Sequence, residues 1–438
     1  MSERIGAVGL DFGTTNSAIA VVGDDGVPRL AQFAAEARDG GATETFRSIL
    51  FFESPEETGG TEAALSVGND AIRRYLAAGG NGRLIQSLKS FLADRTFQKT
   101  DIMGEDYTLG DLIAPILVTL REAAERQFGA LGPRVVVGRP VHFSSADTAA
   151  DDELACARLD VAVRRAGWDE VVFEYEPVGA AFDYEARMTR DELALIADFG
   201  GGTSDFSILR LSPSRGRAGS GTGYEILGND GVAIAGDAFD GRMMHHLVAP
   251  ELGRGSRYRS PYGMVLPVPT WPYTKLERWH HLSLLRTRAT MGRLRELESE
   301  ALDPQKIAAF IHIVDNDLGY YLSRSVEAAK VALSDCESAV FGFADGPVAI
   351  DKAVGRGEFQ MWIARQLGEI ARCVDRLMAS AAVTPEMIDS VFLTGGSSFV
   401  PAVRRIFVER FGADRIRMGD EFTSVARGLA LRALRDHR

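Results

Sequence analysis

Cysteine is scarce. The chain has three, Cys156, Cys336 and Cys373, an odd number in no metal-binding spacing. That excludes a disulfide scaffold and a cysteine-zinc module, and it fits a reducing compartment. Proline is also sparse at 16 residues, which leaves little room for proline-rich linkers. No stretch approaches the ~20 apolar residues that a membrane-spanning helix requires. The longest candidate, around Leu112 to Leu120, is short and carries Pro115. At the N-terminus no basic region precedes an apolar run and a cleavage site, because Ile5 to Leu10 reads as a strand. A cytoplasmic protein without a membrane partner is therefore expected. Positive charge is in deficit, with 49 Lys and Arg against 61 Asp and Glu and a net charge of −12. A chain with that balance is not built as a whole to hold a polyanion, so nucleic acid is not an expected partner.

Glycine is in surplus. The 438 residues include 46 glycines, about one in ten against a usual ~7%. A surplus of glycine without one of proline points to tight backbone loops. The length alone suggests two or three domains.

Two segments resemble each other. The first runs from Ile5 through a strand to Asp11-Phe12-Gly13-Thr14-Thr15-Asn16-Ser17, then a strand Ala18 to Val22, a turn Gly23 to Gly26 and a third strand into Phe33. The second starts at Leu193, reaches Asp198-Phe199-Gly200-Gly201-Gly202-Thr203-Ser204-Asp205 and continues as a strand Phe206 to Leu211. Each is strand, Asp-Phe-Gly, hydroxyl-rich turn, strand. A repeated unit predicts two similar lobes. Between the hairpins, strands at Val135 to Val137 and Val171 to Tyr175 alternate with helical stretches. One of these opens near Ser144-Ser145 and stops at Gly167. The alternation predicts an α/β architecture. Ser212 to Gly223 reads as a surface loop. Near the end come a strand Val391 to Thr394, a turn Gly395-Gly396-Ser397, a helix Pro401 to Arg410 and a last helix from about Thr423.

A turn of glycines and hydroxyl residues between strands aims several backbone N–H groups into one concavity, which suits phosphate oxygens. Glycine is required there because a Cβ would block the approach and forbid positive φ. Asp11 and Asp198, at the strand ends, would repel a phosphate unless a cation intervened, so each fits a Mg²⁺ site with a water shell. Gly395-Gly396-Ser397 is a third glycine turn, on which the sugar or the flat ring of a nucleotide could lie.

Taken together, these residues resemble the ATPase region of the DnaK-type heat-shock chaperone family, within the actin-like ATPase superfold. Leu10 to Ser17 resembles its first phosphate motif, Asp198 to Asp205 its second, and Leu393 to Ser398 with Pro401 its adenosine motif. Glu176-Pro177 with Ala180-Ala181, Gly236-Asp237 with Phe239-Asp240, and Glu327, Lys330 and Ser334 match in order along nearly the whole chain. Size, ending and insertion are most similar to the short YegD-type members. The resemblance implies an α/β fold of two lobes, each a mixed sheet with flanking helices, with ATP or ADP in the central cleft. Residues 1–190, with 418–438 returning to them, would form lobe I, and 191–417 lobe II. Asp11 and Asp198 would organise Mg²⁺ through water. Gly13, Thr14, Thr15, Asn16, Gly200, Gly201 and Gly202 would form the phosphate loops. Glu176, Thr203 and Asp205 would position the attacking water, and Gly236, Glu327, Lys330, Ser334, Gly395, Gly396 and Ser397 would hold the nucleoside side.

Three positions depart from that pattern. After Val67-Gly68 the family carries a lysine where this chain has Ile72, with Arg73 as the neighbouring cation. Val331 and Phe399 stand where the family has arginines that stack on the adenine. Family chaperones also continue into a peptide-binding domain, whereas the last helix here ends at Arg438. ATP binding with slow hydrolysis that moves the lobes is the expectation. A non-hydrolysing nucleotide-gated adaptor is the second reading. A small-molecule kinase and an actin-like filament protein remain further readings on the same superfold.

The insertion from Arg254 to Arg295 has the opposite charge to the rest. Nine basic residues and the single acid Glu277 give it +8 and leave −20 elsewhere. Tyr258, Tyr262, Trp271, Tyr273 and Trp279 are interleaved with four prolines. This segment either recognises an acidic protein partner or packs its aromatics inward while its arginines pair with acids. Leu282 to Leu297 reads as an amphipathic helix. His245-His246 and His280-His281 are adjacent pairs whose side chains diverge, which argues against a shared metal. His142 reads as structural.

Overall fold

Alternation along β1 (Ala7–Asp11) and β2 (Asn16–Val22) sorts their side chains onto two faces. Val8, Leu10, Ile19 and Val21 enter one buried cluster, and Ala7, Ala18, Ala20 and Val22 enter another. The computed structural model describes residues 6–34, 41–54, 63–78, 82–144, 146–185, 188, 190–212, 224–277, 282, 285–418 and 423–436. The chain divides into two compact units, one of residues 1–235, 369–399 and 403–438, the other of 236–368 and 400–402.

The first unit contains two sheets of matching order. In the first, β3 (Pro28–Leu30), β2 and β1 are antiparallel neighbours, and β1 runs parallel to β4 (Arg134–Arg139), which runs parallel to β5 (Glu170–Tyr175). The second has β6 (Glu192–Phe199) and β7 (Ser204–Leu211) as a hairpin, followed by β8 (Tyr224–Val232). Its other side is β9 (Ser390–Thr394) and β10 (Ile416–Met418), parallel to β6. The expected repeat is thus a repeat of topology: a three-stranded meander with two parallel strands added beside its first strand.

One face of the first sheet is covered by α2 (Leu109–Phe128) and α3 (Ala149–Arg165), while α1 (Gly68–Ala77) packs beside a smaller sheet. α2 is a twenty-residue helix that holds Pro115 within it. α3 begins at Ala149 rather than near Ser144, because the Asp151 carboxylate accepts from both the N–H and the hydroxyl of Thr148 and anchors the first turn there. Ser145 and residues 213–223 of the expected surface loop lie outside the described residues.

The opposite face meets α4 (Glu176–Glu185) and α5 (Ser424–Asp436), in a cluster that also takes in Ala194, Ile196, Leu209 and Phe392 of the second sheet. Close approach is what allows this. A Cβ on Gly428 would stand 1.6 Å from the Gly179 carbonyl oxygen, and one on Gly9 2.2 Å from the Ala430 nitrogen. Glu176, first residue of α4, is therefore delivered to the junction of the two sheets.

The second unit is mainly helical, with a hairpin of Ser338–Asp345 and Val348–Gly355. Its insertion folds as a short hairpin, Arg257–Arg259 with Val265–Pro267, then the helices Trp271–Leu276 and Arg288–Glu300. The amphipathic helix expected from Leu282 starts instead at Arg288, where the Thr287 hydroxyl accepts from the Thr290 amide. No helix among the described residues is long and apolar enough to cross a membrane.

Candidate functional site

In sheets with parallel strands, ligands collect at the carboxyl ends. Here Asp11 closes β1, Asp198 is the penultimate residue of β6, Thr394 closes β9, and Glu176 follows β5 directly. Asp205 sits opposite Asp198 in the second hairpin. The first unit brings these five positions together.

Each hairpin turn is four residues, 12–15 and 200–203. In the first, the Gly13 amide is taken by the Ser17 hydroxyl at 3.2 Å, and a Cβ on Gly13 would stand 2.0 Å from the Asn16 carbonyl oxygen. In the second, the Gly200 amide donates to the Thr203 carbonyl at 2.9 Å. The amides of Thr14, Thr15, Gly201 and Gly202 make no such bond within their turns. Gly395 has φ +78°, and a Cβ there would stand 2.0 Å from the Phe199 carbonyl oxygen. Only glycine permits the third turn to lie against the second.

The carboxylates share one electrostatic field. Burial first, then the charge of Glu176, pushes Asp11 up to about 8; Asp198 adds to the rise and Lys89 opposes it. Burial and Glu176 push Asp198 up to about 6, against the hydroxyl of Thr394, which donates to its Oδ1 at 2.7 Å. Asp205, 2% exposed, is pushed up to about 7 by burial, Glu176 and Asp198. Its Oδ1 accepts from the Val141 amide at 3.1 Å, and the Thr203 hydroxyl bonds to the same carboxylate. A site that crowds buried carboxylates this closely gains from added positive charge, a proton or a cation.

One residue here has no counterpart in the sequence reading. Lys89 Nζ lies 2.5 Å from Glu176 Oε1, and both side chains are buried. Burial alone would lower this ammonium, but Glu176, then Asp11, hold it above its usual value. The one signal available was a lysine within the otherwise apolar run Leu88, Phe91 and Leu92. Ile72, by contrast, is 3% exposed in the apolar face of α1, and Arg73 is exposed and paired with Asp70 at 2.6 Å. Neither supplies a cation to the carboxylates. Among the described residues no three His, Cys, Asp or Glu side chains are grouped to hold a metal directly.

In the second unit, Gly236 opens the helix Gly236–Met243. Glu327, Lys330 and Ser334 share one face of the helix Gly319–Asp335 by their spacing. Lys330 Nζ pairs with Asp240 at 2.8 Å, and Glu327 accepts from Arg324 at 2.6 Å. Val331, 58% exposed, faces solvent beside them.

Part of the insertion packs inward and pairs with acids. Tyr273 is buried against Phe310, and Arg286 and Arg295 pair with Asp317 and Asp315. Tyr262 is 89% exposed. The His245 and His246 rings do not diverge as expected but meet edge to face at 4.9 Å, while His245 bonds to Glu277 and His246 stacks on Trp362. His142 pairs with Asp152 at 2.9 Å. Arg278, Trp279, His280 and His281 lie outside the described residues.

A family model described as Hsp70 protein matches residues 84–254 and 311–434. The Chaperone protein DnaK of Thermosipho africanus (strain TCF52B) is 26% identical over 428 residues, covering 97% of this chain and 58% of that protein. That of Thermosipho melanesiensis (strain DSM 12029 / CIP 104789 / BI429) is 26% identical over 434 residues, covering 99% of this chain and 59% of that protein. The chain thus spans less than two thirds of the length of these relatives.

Proposed function

The chain belongs to the Hsp70 family and has its α/β actin-like fold, and from that premise we propose that it binds ATP and ADP with Mg²⁺ and hydrolyses ATP slowly, as a chaperone-type nucleotide switch. One observation carries the reading. Two hairpins of like topology each set an acid at a strand end and, among the described residues, two amides with no bond inside the turn, around a shared carboxylate cluster.

In this reading Thr14, Thr15, Gly201 and Gly202 donate their amides to phosphate oxygens, while Gly13, Asn16 and Gly200 shape the turns. Asp11 and Asp198 are oxygen donors that burial, then the charge of Glu176, pushes up, which fits a hard divalent cation held through water. Bound with the nucleotide, Mg²⁺ would supply the charge that lets phosphate approach the carboxylates. Gly395, Gly396 and Ser397 are assigned to the nucleoside by the family resemblance.

Glu176, Thr203 and Asp205 orient the attacking water. Its oxygen bonds to the γ-phosphorus, the bond to the β,γ-bridging oxygen breaks, and ADP leaves with that electron pair. Asp205, held near 7, is suited to take the water proton at neutral pH.

Calorimetry with Mg-ATP and Mg-ADP tests the binding claim, and no heat up to about 1 mM ligand would overturn it. Single-turnover hydrolysis tests the chemistry. Asp198→Asn and Thr203→Ala should each slow it by roughly 10²–10³, and unchanged rates would remove these residues from the reaction.

A further inference from the structure

We propose that the outer face of the hairpin Arg257–Arg259 with Val265–Pro267, in the insertion of the second unit, docks an acidic segment of another protein. This hairpin falls between residues 254 and 311, where the first segment matched by the Hsp70 family model ends and the second begins. The nucleotide reading above makes no use of it.

Strand alternation sorts the hairpin into two faces. Tyr258 and Leu266 are opposite each other, with Ala301 on the far side of Tyr258, and all three are half-buried. On the other face Arg257 stands between Pro267 and Leu302, whose amide donates to the Arg257 carbonyl at 2.8 Å, and Arg259 stands opposite Val265. All five of these side chains are exposed. At the tip of the same hairpin Tyr262 and Met264 are 89% and 56% exposed. Single exposed apolar residues are ordinary, but here they are gathered around two guanidinium groups. Arg286 and Arg295 of the same insertion pair with Asp317 and Asp315. By contrast, among the described residues the Arg257 side chain has no partner, and that of Arg259 reaches the Gly263 carbonyl at 3.5 Å and no acid.

Tyrosine, methionine and arginine are residues that protein interfaces favour. A guanidinium meets a carboxylate through two parallel hydrogen bonds, so the two unclaimed arginines call for acids in the partner. A nucleic-acid backbone would satisfy the arginines but leave Val265, Pro267 and Leu302 without contacts, whereas acids flanking apolar side chains satisfy both. The hairpin is held ready for such a partner. The Val268 amide donates to the Ser256 carbonyl at 2.9 Å, that of Ser260 to the Met264 carbonyl at 2.8 Å, and Gly263 turns the tip at φ +83°. A surface already fixed loses little entropy on docking. Its outer strand carries Pro267, which has no N–H, so strand addition is disfavoured and recognition falls to the side chains.

The test selects short random peptides displayed on phage against the immobilised full chain, and measures the selected peptides in solution by fluorescence anisotropy. Selected sequences should carry Asp or Glu beside an aromatic or aliphatic residue. Their affinity should fall at least about tenfold in Arg257→Glu/Arg259→Glu and in Tyr262→Ala, and severalfold as salt rises from about 50 to about 200 mM. Peptides with their acids exchanged for lysine should regain binding to Arg257→Glu/Arg259→Glu, which a misfolded variant could not do. A selection that yields no binder, yields basic or uncharged sequences, or yields peptides indifferent to these substitutions would overturn the proposal. So would displacement of the peptides by a single-stranded oligonucleotide, which would mark a polyanion surface, or wild-type self-association that these substitutions abolish, which would mark an interface between copies of this chain.

Discussion

Thr394 donates its hydroxyl to Oδ1 of Asp198 at 2.7 Å, across the register that pairs the end of β9 with the end of β6. The two residues are 196 positions apart in the chain. A hydrogen bond to a charged group contributes roughly 1.5–3 kcal/mol. Thr394→Val keeps the shape and removes the donor, so Mg-nucleotide binding should weaken by about tenfold. Calorimetry at constant pH checks this, and unaltered affinity would mean that Asp198 does not depend on its neighbour.

Gly428 and Gly179 set the distance between α5 and α4. A methyl group placed 1.6 Å from a carbonyl oxygen cannot be absorbed by side-chain rotation, so Gly428→Ala should destabilise the chain by about 3 kcal/mol or more. Gly357, in a helix with nothing within 4 Å of its would-be Cβ, is the counterpart. Gly357→Ala should be stabilising by roughly 0.5–1 kcal/mol. Denaturant unfolding of both variants is the measurement.

Asp205 gives a pH dependence of definite sign. Its folded value near 7 lies above the unfolded 3.8, so the folded state binds the proton more tightly. Its contribution to stability is full below about pH 4 and is lost as pH rises through 7. Asp205→Asn should therefore raise the melting temperature at pH 8 by roughly 2 °C or more, with the gain fading toward pH 4. The same variant should hydrolyse ATP more slowly. A gain that persisted unchanged at pH 4 would contradict this account.

His246 behaves in the opposite sense. Burial, then the charges of Arg242 and His245, lowers it to about 4. The Arg242 guanidinium donates to its Nε2 at 2.8 Å, and the ring stacks on Trp362 at 4.8 Å. Because the folded value lies below the unfolded 6.5, stability is present above pH 6.5 and is lost as pH falls through 4. The fluorescence of Trp362 should titrate near pH 4, and His246→Gln should abolish that transition. A midpoint near 6.5 would show the ring to be free.

Much of the fold was written locally. Asp11-Phe12-Gly13 and Asp198-Phe199-Gly200 each announce a strand, a turn and a return strand within a few residues, because turn chemistry and alternation are short-range properties. Their recurrence marked the repeat that the two matching sheets display. The helix starts at Ala149 and Arg288 lie several residues beyond the expected ones, because the capping group, the Asp151 carboxylate in one case and the Thr287 hydroxyl in the other, is one of several nearby candidates in the sequence.

By itself, the sequence determined the two hairpins, the acids at their strand ends and the close turn at Gly13, since each depends on neighbours a few residues away. Only the tertiary structure decided which cation those acids meet. Lys89 and Glu176 are 87 residues apart, and only the apolar neighbours Leu88, Phe91 and Leu92 set Lys89 apart from a surface lysine. Its burial follows from the left-handed turn at Ser87, the guanidinium of Arg158 behind it, and the helix crossing at Gly179 and Gly428 that delivers Glu176. Desolvation and charge act through space, and a chain fixes distances in space only once it has packed.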